Sequence, residues 1–292
     1  ALGARARLIA IARHAHQERV DDAVERGQRV VIFGLRNTGK TSILRNIVVA
    51  EFRRKHRTGF VLFVDLMGVT SKIDIDRRLT LAFERAMSEL RPAKTYITSL
   101  MRALKSARPA MVVDPLTGEL RFSFGAGDGD GIALDFALIV KEVGKYHRSH
   151  KALIILDEFQ DVAFVDGADA LFRDALQNLP GDLPVLISGS KKHLLANLFA
   201  PARAPLAGWG SDIPIPAILD NAGYIRSYHN YISAKFASKE LTIAPEVSIV
   251  LFELLRGIPE PVNIVCQHLL DHSPLGSEVS HEMIGDAIAL VV

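Results

Sequence analysis

The chain of 292 residues holds a single cysteine, Cys266. One thiol cannot close an intramolecular disulfide, so the fold must rest on its core, and a reducing compartment suits it. Strong charge of one sign is also missing, since 35 basic and 33 acidic residues leave a formal net charge of +2. No global electrostatic pull toward nucleic acid or an acidic membrane is therefore expected. No apolar run is long enough to span a bilayer, and the opening stretch is broken by Arg5, Arg7 and Arg13. That pattern argues against a transmembrane segment or a signal peptide, and points to the cytoplasm. The first residue is Ala1 rather than methionine, as expected of a processed or excised chain.

What is plentiful is apolar matter. Hydrophobic residues make up 49% of the chain and mean hydropathy is +0.18. This length accommodates one large domain or two modest ones. The composition implies a large core and an apolar surface that another domain or subunit covers.

The most informative segment is Gly34-Leu35-Arg36-Asn37-Thr38-Gly39-Lys40-Thr41, followed by Ser42. It stands between an apolar run over 28–33, which reads as a buried strand, and a helical pattern over 42–52. In that context glycine-rich backbone N–H groups curl around a phosphate at the positive end of a helix. Lys40 is placed to reach the β- and γ-phosphates, and the Thr41 hydroxyl to sit on Mg²⁺. The expected ligand is a nucleoside triphosphate. No Asn-Lys-x-Asp box is present, which tilts the base toward adenine.

A second apolar run, Ala152 to Leu156, ends in Asp157 and Glu158. Such a run reads as a strand buried on both faces of a parallel sheet. Carboxylates at its C-terminal end lie where these sheets place ligands. Asp157 is suited to hold Mg²⁺, and Glu158 to orient and deprotonate an attacking water. Further strands are expected over 60–65 and 183–188, with an edge strand over 213–218 demoted by its prolines. Helices are expected over 77–90, 132–146 and 169–177, which completes an alternating α/β pattern. Ser188 or Ser190, after the 183–188 strand, is placed to touch the γ-phosphate or the water, although either also suits a plain turn.

Between 108 and 131 the pattern becomes a hairpin, turning at Pro115–Gly118, and then a glycine-rich connector over 125–131. Past Asn221 three helices are expected, over 222–238, 245–255 and 260–271. Arg256-Gly257-Ile258-Pro259 breaks them, with Gly257 suited to a C-terminal cap and Pro259 to a first turn. The expected division is a core over 1–220 and a helical lid over 221–292. His268 and His272 share one helix face but lack a third metal ligand.

The succession of Gly34–Ser42, Leu156-Asp157-Glu158-Phe159-Gln160-Asp161, Ser188-Gly189-Ser190 and Gly257-Ile258-Pro259 resembles the archaeal-type P-loop ATPases. That group lies near the AAA+ and STAND ATPases, and the resemblance spans roughly Val20 to Leu270. It implies a central parallel sheet of order 5-1-4-3-2 with a small helical, partly winged-helix lid. It implies ATP and Mg²⁺ as cofactors, and brings Pro259 against adenine or ribose. One departure stands out. Where such proteins often carry Pro-Leu-x-Gly-Arg, this chain has Pro205-Leu206-Ala207-Gly208-Trp209. The missing cation implies slow turnover by the isolated chain, unless Arg203, Arg36 or another subunit's arginine substitutes.

Three activities fit these residues. The first is an ATP-hydrolysing switch that reports ATP or ADP to a protein partner or to another copy. The second is a DNA-associated motor or loader, suggested by the helicase-like Asp-Glu-x-Gln-Asp spacing though not by charge. The third is an ATP-binding protein with little turnover.

Overall fold

The structure, a computed structural model, describes residues 14–90, 109–113, 120–124, 136–190, 198, 206 and 208–292. The expected glycine-rich connector, the hairpin's Pro115–Gly118 turn and Arg203 lie outside them.

Among the described residues the strands are β1 (Arg29–Phe33), β2 (Phe60–Asp65), β3 (Pro109–Val113), β4 (Leu120–Phe124), β5 (Ala152–Asp157), β6 (Val185–Gly189) and β7 (Ser211–Pro214). Five of them form one parallel sheet in the order β2-β5-β6-β1-β7. Without the hairpin strands β3 and β4, that order is 2-3-4-1-5, which is the expected 5-1-4-3-2 read from the other side. The proline-bearing β7 lies at the edge, where a missing N–H is tolerated. β3 and β4 pair antiparallel from Pro109↔Phe124 to Val113↔Leu120, forming the expected hairpin.

Contacts divide the chain into two compact units. One holds 20–32 and 49–212. Its centre is β5, whose six residues are all buried. β5 runs parallel to β2 from Phe60↔Ala152 to Asp65↔Asp157, and to β6 through Ile154↔Val185. Each large aliphatic buried there contributes about 1.5–3 kcal/mol. The Lys72–Leu90 helix buries Ile75, Leu79, Phe83, Ala86 and Met87, one stripe at helical spacing. It starts five residues before the expected Arg77. Ser71 accepts the Asp74 N–H at 3.1 Å, while Asp74 accepts both the N–H and the hydroxyl of Thr70. This reciprocal capping secures a first turn that the apolar pattern alone does not mark.

The other unit holds 33–48 and 213–292, with 14–19 at the start of the described chain. A cut after residue 220 would part 213–220 from the helices they cluster with. The helices are Ala222–Ala237, Pro245–Leu254, Pro259–His272 and His281–Val291, the last unexpected from the sequence. They enclose Tyr228, Phe236, Leu251, Phe252, Val262, Val265 and Ile284. Asn221 caps the first by accepting from the Gly223 and Tyr224 N–H groups, and Ser280 caps the fourth through Met283. Pro245 and Pro259 open the second and third helices, where a missing N–H costs nothing. Arg256 and Gly257, both left-handed at φ 54° and 63°, end the second. A Cβ on Gly257 would stand 2.9 Å from the Leu219 nitrogen, so only glycine fits. The unit's one isolated bridge among the described residues joins Thr242 and Glu278, and no wing hairpin accompanies the helices there. Among the described residues no helix is long and apolar enough to cross a membrane.

Candidate functional site

The glycine-bearing loop Gly34–Thr41 begins where β1 ends. Val30, Val31 and Ile32 are buried, and the Phe33 carbonyl accepts the Ile215 N–H at 2.7 Å. A Cβ on Gly34 would lie 2.7 Å from the Ile215 carbonyl oxygen, so the chain can leave the strand there only as glycine. Leu35, Arg36 and Asn37 are exposed. Asn37 and Gly39 are left-handed, at φ 63° and 81°, a conformation that asparagine and glycine adopt most readily. Thr38 is fully buried, and its hydroxyl donates to the Leu35 carbonyl at 2.8 Å, which tightens the loop.

Lys40 opens the helix and is itself buried. Its Nζ donates to the Gly34 carbonyl at 3.0 Å and to the Leu35 carbonyl at 2.9 Å, so the ammonium is drawn over the loop's own backbone. Gly39, at the N-cap, has no side chain to cap the first turn. Thr41 and Ser42 are half-buried in that turn. The 33–48 segment contains Arg36, Lys40 and Arg45 and no carboxylate. A polyphosphate fits this donor set: an uncapped helix start, a buried ammonium and no competing anion. The helix is not uniform, since Leu44–Val48 form a π turn before Val49–Lys55 resume the α form. The expected 42–52 helix therefore extends over 40–55 with one widened turn.

Asp157 and Glu158 belong to the unit of 20–32 and 49–212. Asp157 is fully buried, and its Oδ1 accepts the Glu158 N–H at 3.1 Å and the Ser188 hydroxyl. Ser188, expected near a phosphate or water, has its hydroxyl turned onto Asp157, and it too is fully buried. Glu158 is half-buried and left-handed, at φ 52°, ψ 39°. Its Oε2 accepts the Gln160 amide at 2.7 Å and the Ser190 hydroxyl at 3.1 Å. The Ser190 N–H donates to Gln160 Oε1 at 3.0 Å. On the neighbouring strand, Asp65 stands in register with Asp157 and its Oδ1 accepts the Met67 N–H. Arg78 donates to the Asp65 carbonyl at 3.1 Å. The link from Gln160 to Glu158 and Ser190 was not anticipated from the sequence. Its signal there is Gln160's place in the Asp157-Glu158-Phe159-Gln160-Asp161 run.

Pro259 is buried in the helical unit, and its carbonyl accepts the Tyr228 hydroxyl at 3.4 Å. The Gly257 carbonyl accepts the Ile218 N–H at 2.8 Å, which ties the Gly-Ile-Pro turn to the 218–220 turn. Trp209, where an arginine was expected, lies with its ring 5.6 Å below the Arg29 guanidinium, at the start of β1. That is the end of the strand away from the Gly34–Thr41 loop. His272 Nδ1 lies 2.9 Å from the His268 carbonyl, so the two stacked histidines meet along their own helix.

No protein-family model and no curated protein matches this sequence. Solved structures match it by shape. The Walker-type ATPase PABY2304 of Pyrococcus abyssi superposes with a TM-score of 0.61 at 17% identity, over 95% of this chain and 70% of that one. The Aeropyrum pernix ORC2 protein, in ADPNP–ADP complexes, gives 0.58 at 14% identity, over 95% and 67%. The Aeropyrum pernix ORC1 protein, in complex with DNA, gives 0.55 at 13%, over 95% and 65%. The chain thus spans about two thirds of the length of these neighbours. Identities this low speak to architecture alone. The chain has the fold of these P-loop proteins, a five-stranded parallel sheet of order 2-3-4-1-5 with mostly helical surroundings.

Proposed function

We propose that the protein is a Mg²⁺-dependent ATPase that works as a nucleotide-driven switch for a protein partner or a second copy. The observation that carries this reading is the loop itself. Its two left-handed residues and buried Lys40 wrap the start of an uncapped helix, an arrangement that otherwise gathers positive potential to no purpose. In this reading Gly34, Arg36, Asn37, Thr38, Gly39, Lys40, Thr41 and Ser42 bind the phosphates, chiefly through backbone N–H groups. Thr41 and Asp157 hold Mg²⁺, which neutralises phosphate charge when bound. Glu158 takes the proton of the attacking water, Ser188 holds Asp157 in place, and Pro259 borders the base. With tryptophan at 209, turnover by the isolated chain is slow; a transition-state arginine supplies about 10³- to 10⁵-fold in related enzymes.

The test pairs two variants. Mg·ATP at about a hundred times its Kd stabilises the wild type by about 2.7 kcal/mol, and Lys40→Ala abolishes that shift. Glu158→Gln keeps the shift and loses phosphate release. An undiminished shift in Lys40→Ala contradicts the loop assignment. A vanished shift in Glu158→Gln makes Glu158 structural.

A DNA-associated role is the second reading, favoured by the likeness in fold to a protein solved in complex with DNA. The near-zero net charge weighs against it. DNA affinity that falls steeply with salt selects this reading over the first.

A further inference from the structure

Glu158 holds a left-handed backbone that costs a non-glycine residue about 1–3 kcal/mol and persists only where its surroundings impose it. Those surroundings are a closed polar triangle. The Gln160 amide and the Ser190 hydroxyl both donate to Glu158 Oε2, and the Ser190 N–H donates back to Gln160 Oε1. Gln160 is 2% exposed. Its amide also donates to Asp161 Oδ1 at 3.2 Å, and Asp161 Oδ2 accepts the Gly68 N–H at 2.7 Å. Phe159, fully buried edge-on against Phe172, anchors the same turn. The amide's orientation follows from chemistry, since a backbone N–H must face its oxygen and two carboxylates its NH₂.

The consequence is asymmetric. Glu158 Oε2 is fixed by two donors, while Oε1 has no hydrogen bond to any described residue. A free glutamate side chain loses about 1.5–2 kcal/mol of rotamer freedom when held in one geometry. Here folding has already frozen it.

We propose that Gln160 is a positioning residue for hydrolysis, holding Glu158 so that its second oxygen is ready to take a proton from water. The inference rests on the ATPase reading above. In the step concerned, the water oxygen bonds to the γ-phosphorus as the bond to the β–γ bridging oxygen breaks. One water proton passes to Glu158 Oε1 and is then released with inorganic phosphate, leaving ADP.

Gln160→Met keeps the length and bulk of the side chain but removes its hydrogen bonds. It lowers kcat about ten- to a hundredfold, the scale of an ångström-level misplacement, while KM for ATP and the Mg·ATP thermal shift hold within about twofold. Added to Glu158→Gln, it lowers the residual rate no further, because it acts through that carboxylate. Ser190→Ala removes one of the two donors and gives a smaller kcat loss of the same kind. It serves as the test if Gln160→Met fails to fold. Unchanged kcat in the folded variants, a KM that rises in step with any kcat loss, or an additive drop on Glu158→Gln each overturns the inference. Where the wild type turns over ATP and Gln160→Met equals it, the inference alone falls. Where the wild type binds Mg·ATP without turnover, the ATPase reading fails and the inference falls with it.

Discussion

The two ends of β5 both bury polar groups, and they do so under different terms. At the start, the Ala152 N–H donates to His147 Nδ1 at 3.1 Å. That leaves the ring proton on Nε2, 3.3 Å from Asp182 Oδ2. His147 is 5% exposed and its backbone is ordinary helix. At the finish, a fully buried carboxylate, Asp157, accepts from Ser188 and from the backbone of a left-handed Glu158. A backbone N–H donating to a buried imidazole nitrogen satisfies the strand's first amide cheaply, although His147 Nε2 makes no hydrogen bond to any described residue. A buried acid beside a strained residue is costly, and that cost points to a functional site.

Replacing Asp157 with Asn tests this contrast most severely. The substitution keeps the shape and removes the charge. ATP turnover falls at least about a hundredfold, since a held metal ion supplies several kcal/mol to the transition state. Stability holds or rises, because an uncharged group is easier to bury. A clear drop in Tm with turnover intact would instead make the finish of β5 a structural device like its start.

His147→Leu probes the other end. It strands the Ala152 N–H in the core, at about 1–3 kcal/mol, and Tm falls by a few degrees on the scale of about 2–4 °C per kcal/mol. Turnover per folded molecule, measured below the transition, is unchanged. Equal loss of activity and stability would erase the distinction between the ends.

The strands of this site could be read from the residues because they are buried on both faces. β2 has the expected bounds, 60–65, and β5 runs from the expected Ala152 one residue past the apolar run to Asp157, since nothing polar interrupts either run. What was hidden depends on partners distant in the chain or on backbone detail. The sequence marks Ser188 and Gln160, but their partners, Asp157 for the one and Ser190 for the other, show only once the fold brings β6 beside β5. A π turn at Leu44–Val48 leaves the apolar pattern almost intact, so periodicity passes over it. The fourth lid helix had its signal in Ser280, a capping residue followed by a short apolar stripe. Trp209 shows the opposite error. The sequence marks an absent arginine, but the side chain present packs on Arg29 at the far end of β1.

The smallest effect separates the two partners of the His147 pair. Asp182 is 69% exposed at its side chain, and Lys151 approaches it at 4.0 Å. The contact with His147 holds its carboxyl below the ordinary aspartate value despite partial desolvation. A depressed folded-state pKa means that the stabilisation is present above the unfolded value, about 3.9, and is lost as pH falls below it. Solvent screening keeps it small, so Asp182→Asn costs at most about 0.5–1 kcal/mol at pH 7. The wild type and Asp182→Asn then converge in Tm as pH falls from about 5 toward 3. No gap at pH 7 would make Asp182 a bystander and leave the interaction to His147 and Ala152 alone, whereas a gap that persists on acidification would mean that Asp182 acts through something other than its charge.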